Sequence, residues 1–533
     1  MKEFFKNVSW VREIACLTIG GAIFALIYFL ALPAFTGWGF LWTLLASLGI
    51  SAIIDAVWTV TTNTWEDEEE NTIYGWIAGG LSIILILAMI VIRLGGSSMF
   101  HAKAYANSFT PIEVQTQSED IPSIDDVAKV SLMDTATATK LGDRTLGALS
   151  KYVSQYNVAA EYTTISYQGK VVKVAPLVHS GFFKAMKNNT IPGYVIVDTL
   201  TSEAKFVEVE GGIKYSPSAY FSKDLLRHIR SEYKSEKLGS YYNFQLDENG
   251  TPYWVVAVIE YNTWMGAKVP VGAITVNAVN GDMAKYALND IPEWVEQVFD
   301  GDMVCDLYNR HGYYINGFWN FSDTGRTQVT EDYGYLERNG DIYIYTGVTS
   351  VAADESNIGF IMVNSRTGEC NYYPVAGAEE YSAMSAAEGV VQNYGYTASF
   401  PSLVMYGEDP TYVMVLKDSN GLVKKYAMVN MVNYTVVAVE DTLDATKEAY
   451  IKAMKKSASS EPVKGESETL TITVASIDYI TVAGETFVYV KDTEGRCFKQ
   501  AFAENESLIL LEVGQQVEVE VNGIVDITPA KFK

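Results

Sequence analysis

The chain has 533 residues, with 39 lysines and arginines against 64 aspartates and glutamates, a formal net charge of −25. That balance argues against a nucleic-acid binder, which needs a basic face to displace counterions, and against docking on anionic lipid through overall surface charge. Apolar residues make up 48% and charged residues 19%, so the chain can bury sizeable cores, and its length predicts three or four folding units. Four cysteines cannot frame a protein of this size with disulfides.

The first hundred residues differ from the rest. Ile14–Leu32, Phe40–Val60 and Ile73–Ile92 are each close to the roughly 20 residues needed to cross a bilayer as a helix. Trp38, Trp42, Trp58, Trp65, Tyr74 and Trp76 sit near the predicted ends, as an aromatic belt would. Lys2, Lys6 and Arg12 precede the first span, while Arg93 and Lys103 follow the third. This bias predicts a cytoplasmic N-terminus and places everything after Ile92 outside the cell. The run Glu66–Glu70 reads as a solvated loop. Asp55 lies inside the second span but near its end, where water can reach it; the alternative is a polar contact between helices.

Residues 95–126 read as a polar linker, and residues 455–468 as a second, flexible one. Four segments between them share one pattern: 193–206, 272–286, 359–372 and 426–439. Their aligned valines, Val197, Val276, Val363 and Val429, are 79, 87 and 66 residues apart. Each segment reads as a strand, a tight turn and a returning strand. Gly281 and Gly368 hold the turn position in the second and third, Ser202 and Tyr434 in the first and fourth. A second strand pair precedes each, and helices are predicted at Ala219–Glu232, Glu293–Tyr308 and Tyr381–Gln392. One apolar stripe, Leu225, Leu226 and Ile229, is expected to pack under a sheet.

The unit resembles the PepSY-type module, a helix packed on antiparallel strands whose last hairpin reads like Val363-Asn-Ser-Arg-Thr-Gly-Glu369. The resemblance covers Ile165–Glu440. The whole chain also resembles a family of Gram-positive membrane proteins with several spans and a large outer region. These resemblances imply inhibition or binding, and no catalytic residues. The domain reading is an anchor at 1–94, paired PepSY-like units at 127–290 and 291–454, and a small all-β OB-like barrel at 469–533. Its strands are predicted at Leu470–Ile480, Thr486–Lys491, Cys497–Phe502, Gln516–Val521 and Ile524–Thr528, with a helical piece at Glu506–Leu511. Phe487, Tyr489, Phe498 and Phe502 alternate like core residues, and acidic residues outnumber Lys491, Arg496 and Lys499, so no nucleic acid is expected there.

No nucleophile elbow, P-loop, HExxH helix, CxxC pair or calcium loop is present in the sequence. Asp247–Gly250 and Asp354–Asn357 read as acidic hairpin turns, and His228 as a surface residue. Cys305, Cys370 and Cys497 read as buried thiols, with a Cys305–Cys370 bond possible in an outer location. Tyrosine is abundant, at 35. The cluster Tyr241, Tyr242, Tyr253, Trp254, Tyr261 and Trp264 reads as cross-strand packing, and the loop with Tyr313, Tyr314, Phe318 and Trp319 as a candidate partner contact. The expectation is a non-catalytic, membrane-anchored extracytoplasmic binding or scaffolding protein. It would need no metal or cofactor, and would meet the bilayer, an envelope protein and further copies of itself. The alternatives are a regulator of an envelope protease and an oligomeric transport component.

Overall fold

The computed structural model describes residues 8–65, 73–114, 120–330, 332–351, 353–460, 468–482, 485–521 and 528–532. The acidic run Glu66–Glu70 lies outside the described residues. The chain divides into two compact units, Met1–Tyr450 and Ile451–Lys533.

Three apolar helices open the first unit: α1 Trp10–Ala31, α2 Trp38–Trp65 and α3 Tyr74–Gly95. All three are long and apolar enough to cross a membrane. At about 1.5 Å per residue, α1 and α3 span about 33 Å, the thickness of a hydrocarbon core. α1 begins ahead of the expected Ile14, so Arg12 and Glu13 lie in its first turn. Contacts among Arg12, Asp55 and Gly75 gather one set of helix ends. The opposite ends, near Leu32, Trp38 and Gly96, all bond to the region that follows.

The segment expected as a linker is largely ordered. It holds α4 (Ser98–Ala106) and a short strand, Ile112–Glu113, parallel to Cys370–Tyr373. Phe109, Ile121, Ile124 and Val127 are buried, and these scattered apolar residues pin a stretch that is polar on average.

Four sheets follow, each with five antiparallel segments in one shared order, and the third adds Ile112–Glu113 as a parallel edge strand. In the first, Tyr156–Val158 and Thr163–Tyr167 form one interrupted edge strand against Lys170–His179, followed by Ile191–Asp198 and Ala204–Ile213. The second runs Lys237–Leu238 with Asn243–Leu246, then Pro252–Tyr261, Lys268–Asn277 and Met283–Ala287. The third runs Thr327–Val329 with Gly334–Arg338, then Asp341–Ser350, Ala353–Asn364 and Cys370–Tyr373. The fourth runs Thr397–Ala398 with Ser402–Tyr406, then Asp409–Lys417, Val423–Asn430 and Val437–Glu440. Asp354–Asn357 therefore lies in a strand and is not a turn.

The last turn of each sheet has one device. The side-chain oxygens of Asp198, Asn277, Asn364 and Asn430 each accept from the two backbone N–H groups two and three residues on. Ser202, Gly281 and Gly368, at the same offset in the first three turns, have φ of +59°, +88° and +75°.

Helices lie beside the sheets: α5 Thr135–Gly147, α6 Phe182–Lys187, α7 Leu225–Glu232, α8 Gly301–Tyr314, α9 Glu380–Val390 and α10 Leu443–Ser460. The expected helix Glu293–Tyr308 begins later, because Asp300 caps it by accepting from Met303 N (2.9 Å). Residues 293–300 instead cross the core, with Gln245 Oε1 accepting from Glu296 N (2.8 Å). The helix expected from Ala219 likewise begins at Leu225, behind the cap Asp224.

The sheets are covered mainly by each other, which corrects the expectation of one helix on each sheet. Trp254, Val256, Val258, Ile274 and Val276 of the second sheet join a core with the first. The alternate residues Val255, Ala257, Ile259 and Ala273 join a core with the third. Both faces are apolar because both are buried. Between the third and fourth, Glu380 Oε1 accepts from Gly347 N (2.8 Å) and Ala378 N donates to Met431 O (2.8 Å). The fourth returns to the first through Lys417–Asp134, Lys140 Nζ donating to Asn420 O (2.7 Å), and Ser402 Oγ donating to Ser131 O (2.8 Å). Contacts thus run around a closed cycle of four modules.

The second unit has strands Glu468–Val482, Glu485–Asp492, Cys497–Ala501, Gln516–Val521 and Thr528–Phe532. The first pairs with the second and the fourth, the second with the third, and the fifth with the third and fourth. The last strand begins at Thr528; residues 524–527 of the expected one lie outside the described residues. Val488, Val490, Phe498 and Val519 build the core. Phe487 and Tyr489 face the other way, beneath Lys499, whose Nζ lies 3.9 Å from the Phe487 ring centre. The alternation was therefore assigned to the wrong side for these two residues.

Candidate functional site

The interrupted first strands of the modules lie closest together. The first-module strand touches that of the second module and the Asp341–Ser350 strand of the third, and the third-module strand touches that of the fourth. Phe244 N donates to Thr163 Oγ1 (3.1 Å) across two of them. Each strand is entered through an aromatic residue: Tyr162 before Thr163, Tyr242 before Asn243, Tyr333 before Gly334, and Phe400 shortly before Ser402. The repeat therefore delivers one aromatic per module to one place.

A cleft of about 590 Å³ opens there, lined by Tyr162, Tyr241, Tyr242, Trp254, Asp300, Asp302, Tyr333 and Tyr335 among others. A recess of about 300 Å³ shares Tyr162, Tyr333 and Tyr335 and adds Asp134, Lys173, Asp332 and Phe400. Tyr241 Oη donates to Asp302 Oδ2 at 2.6 Å, and that bond, with the carboxylate's charge, pushes the phenol up to about 12. Burial raises Asp300 and Asp332 above the ordinary carboxylate range. Lys173 is 3% exposed, with Nζ donating to Thr164 Oγ1 (3.0 Å) and lying 5.5 Å from the Tyr335 ring centre. Burial lowers it to about 8, against the pull of Asp134. Burial by itself would raise Asp134, but hydrogen bonds from Lys417 and Thr137 hold it low. Phenol faces beside carboxylates suit a cationic group, an amine or a guanidinium, held over a ring and paired with an acid.

Three residues of this cleft, Tyr241, Tyr242 and Trp254, belong to the cluster read from sequence as cross-strand packing. Trp254 does pack in that way, on Phe244 of the paired strand with ring centres 5.2 Å apart, while Tyr253 packs on Trp294, outside any strand, at 4.5 Å. The available signal was the aromatic preceding each module's first strand.

The four loop residues named from sequence lie in one chain of ring contacts, with centres 6.3 Å apart for Tyr313–Tyr314, 6.4 Å for Tyr314–Phe318 and 5.1 Å for Phe318–Trp319. Tyr314 is half-buried between Tyr105 (5.7 Å between ring centres) and Phe318 (6.4 Å), and the Arg326 guanidinium lies 5.0 Å from the Tyr313 ring centre. Trp319 projects, joined by Phe321, which sequence reasoning passed over.

Asp55 has no exposed surface, so the reading of a water-reached residue at the helix end is corrected to a contact between helices. Its Oδ1 is 3.3 Å from Arg12 Nε and accepts from Cys16 Sγ at 3.5 Å, and its Oδ2 accepts from Gly75 N at 3.0 Å. Glu13 accepts from Ile73 N (3.1 Å) and Tyr74 N (2.5 Å). Two carboxylates thus cap the N-terminus of α3, where unpaired N–H groups and the helix dipole favour anions. All three spans are tied at this point.

His228 is not a surface residue: a ring nitrogen lies 2.7 Å from Gly281 O, and the ring is 4.1 Å from that of Tyr215. Asp247 forms the expected turn, its Oδ1 accepting from Asn249 N and Thr251 N. All four cysteines are free thiols, so Cys305 and Cys370 are not paired. Among the described residues no group of three or more His, Cys, Asp or Glu is placed to hold a metal ion.

No protein-family model matches the chain, and no curated protein matches it. Among solved structures, levansucrase from Bacillus subtilis is similar at 10% identity over 78% of this chain and 97% of its own, with a TM-score of 0.18. Apocarotenoid oxygenase from Synechocystis is similar at 8% identity over 56% and 67%, with a TM-score of 0.18. A GH43_1 enzyme from Xanthomonas citri is similar at 8% identity over 66% and 88%, with a TM-score of 0.17. Likeness at this level carries no argument about this chain.

Proposed function

We propose that the chain is a non-catalytic binding protein of the cell envelope, held in the membrane by α1–α3. Its four modules lie outside the cell and its N-terminus in the cytoplasm. The modules are read as PepSY-like and the C-terminal unit as an OB-like barrel. The observation that carries the proposal is the cleft with its adjoining recess: Tyr162, Tyr242 and Tyr333 line the first with Asp300 and Asp302, and Tyr162, Tyr333 and Phe400 line the second with Asp332. A basic segment of an envelope protein is the partner that this chemistry favours. The orientation is supported by Lys2, Lys6 and Arg12 at one end of the anchor, and by the bonding of the opposite helix ends to the modules.

The test is a photo-crosslinking amino acid at Tyr241 in the full chain in living cells. One envelope protein should be captured, and capture should fall in an Asp302→Asn background. Capture of nothing, or capture indifferent to Asp302, would refute the cleft as the binding site. Protease added to intact protoplasts should remove the modules; cleavage only after lysis would reverse the orientation.

A further inference from the structure

The chain as a whole is acidic, but one patch is not. Residues 180–190 read Ser-Gly-Phe-Phe-Lys-Ala-Met-Lys-Asn-Asn-Thr, with two lysines and no acid. Residues 214–234 carry five basic residues against two acidic ones. The structure brings the two stretches together. The Phe182 ring centre is 5.0 Å from Tyr220, 6.5 Å from Phe221 and 5.6 Å from Phe183. Phe183 is 86% exposed and Phe221 61%, with Met186, Lys184 and Lys187 exposed beside them. Phe221 holds φ at +56°, a left-handed conformation uncommon for a non-glycine residue, and its ring projects. Contiguous exposed aromatics of this kind mark a contact surface.

Two observations say what covers it. First, α7 begins four residues after Phe221 and is bonded to the end of α1. Arg227 donates to Phe29 O (3.0 Å) and stacks 4.2 Å from that ring centre, and Arg230 donates to Leu32 O (3.0 Å). Second, the module that α7 leads into meets the same helix ends. In the second module the connection between the Pro252–Tyr261 and Lys268–Asn277 strands carries Thr263, which donates to Gly96 O (2.9 Å), and Met265, whose carbonyl accepts from Trp38 Nε1 (3.0 Å). That connection sits on the outer ends of the spans. In the first module the equivalent connection is 180–190.

We infer that Phe182, Phe183, Met186 and Phe221 form a tip that inserts into the outer leaflet of the membrane the chain itself spans, with Lys184 and Lys187 meeting anionic phospholipid head groups. Aromatic rings are favoured at that depth, and lysine beside them adds attraction to anionic lipid. The inference rests on the proposal that α1–α3 span a bilayer. It also revises the sequence-level exclusion of anionic lipid, which holds for the net charge but not for this patch.

An environment-sensitive fluorescent amino acid is placed at Phe183 in the full chain, reconstituted in nanodiscs of phosphatidylcholine with phosphatidylglycerol, and quenched by shallow doxyl-lipid. Leu30, exposed on α1, is the lipid reference, and Glu494 the water reference. Position 183 should reach roughly half the quenching of position 30 or more, as an interfacial depth requires. Quenching should fall in pure phosphatidylcholine and in the Lys184→Glu/Lys187→Glu variant. Quenching at 183 no greater than at 494, with position 30 quenched, would overturn the tip alone. Loss of quenching at position 30 as well would overturn the spanning helices with it. Strong quenching at 183 that ignores both lipid charge and the lysines would overturn the role of the head groups.

Discussion

If the four modules are versions of one unit, their turns must fail in the same way when perturbed. Gly368 holds φ at +75°, where any side chain costs about 1–2 kcal/mol and a β-branched one more. A Cβ there would lie 2.4 Å from Phe299 Cζ and 2.8 Å from both Cε atoms. Phe299 is 3% exposed and packs with Val363 and Cys370, so it cannot withdraw, and overpacking adds about 1–3 kcal/mol. Gly368→Val should therefore cost about 2–5 kcal/mol. Gly281 is at φ +88° with its virtual Cβ 2.4 Å from Tyr215 Cε2. Tyr215 is only half-buried and can give, so Gly281→Val should cost less than Gly368→Val while remaining above about 1 kcal/mol. Gly389, in α9 with nothing within 4 Å of its virtual Cβ, is the control, and Gly389→Ala should be neutral or stabilising. The assay is thermal unfolding of the full chain in detergent, followed by tryptophan fluorescence. At about 2–4 °C per kcal/mol, Gly368→Val should lower Tm by about 4–20 °C. A Gly368→Val protein that melts within about 1 °C of the parent, or a Gly281→Val that is the worse of the two, would refute the packing argument and the equivalence of the turns.

Asp55→Ala should leave Arg12 with Glu13 as its carboxylate and remove an acceptor from Gly75 N, costing about 1–3 kcal/mol, read as early melting of the anchor in detergent, whereas replacing Ser9 nearby should not. Burial pushes Glu296 up to about 8, against an ordinary value of 4.5, although its bond from Ser166 N pulls the other way. The fold thus binds a proton there that the unfolded chain has released. Its contribution to stability is full below about 4.5 and is lost as pH rises through about 8; Glu296→Gln should flatten that decline in a series of pH melts. Lys173 has the opposite sign. With its folded value lowered to about 8, stability should rise between there and 10.5, and Lys173→Met should remove the rise. The C-terminal unit should show no salt-sensitive binding to single-stranded DNA or RNA in a titration of the 468–533 fragment, because its acidic residues supply no counterion-release term.

The three apolar helices and most strands were legible because each has a local period: long uncharged runs for the helices, alternating or continuous apolar stretches for the strands. The repeat was legible because its turn chemistry is local too, an Asn or Asp after a valine, with a positive-φ residue four further on in the first three modules. What failed was non-local. Continuous apolar strands such as Pro252–Tyr261 say that both faces are buried, but not that neighbouring sheets, rather than helices, bury them. α5, rich in threonine and alanine, has no strong stripe, and its position depends on Asp134 as cap and on the sheet it meets. Asp55 looked close to water because helix ends were counted from hydropathy; Arg12 and Glu13, outside the expected span, close over it. The aromatics at 162, 242, 333 and 400 meant nothing singly, since no pair of them is close in sequence.

The electrostatics of the anchor and the placing of the modules are two parts of one arrangement. A helix leaves unpaired N–H groups at its start and unpaired carbonyls at its end, with partial charges of opposite sign. In α3 the start is met by anions, Glu13 and Asp55. In α1 the end is met by cations, as Arg227 and Arg230 donate to the carbonyls of Phe29 and Leu32. Gly96 O, just beyond α3, accepts from Thr263 and Tyr105. The groups that satisfy the helix ends on that side thus come largely from the second module, the one whose sheet is buried on both faces between its neighbours. A rotation of that module would strip the caps from two spans and open two cores at once. The cleft is built by strands of this module and its neighbours, so its distance and tilt relative to the three apolar helices follow from the bonds that terminate those helices, rather than from a linker.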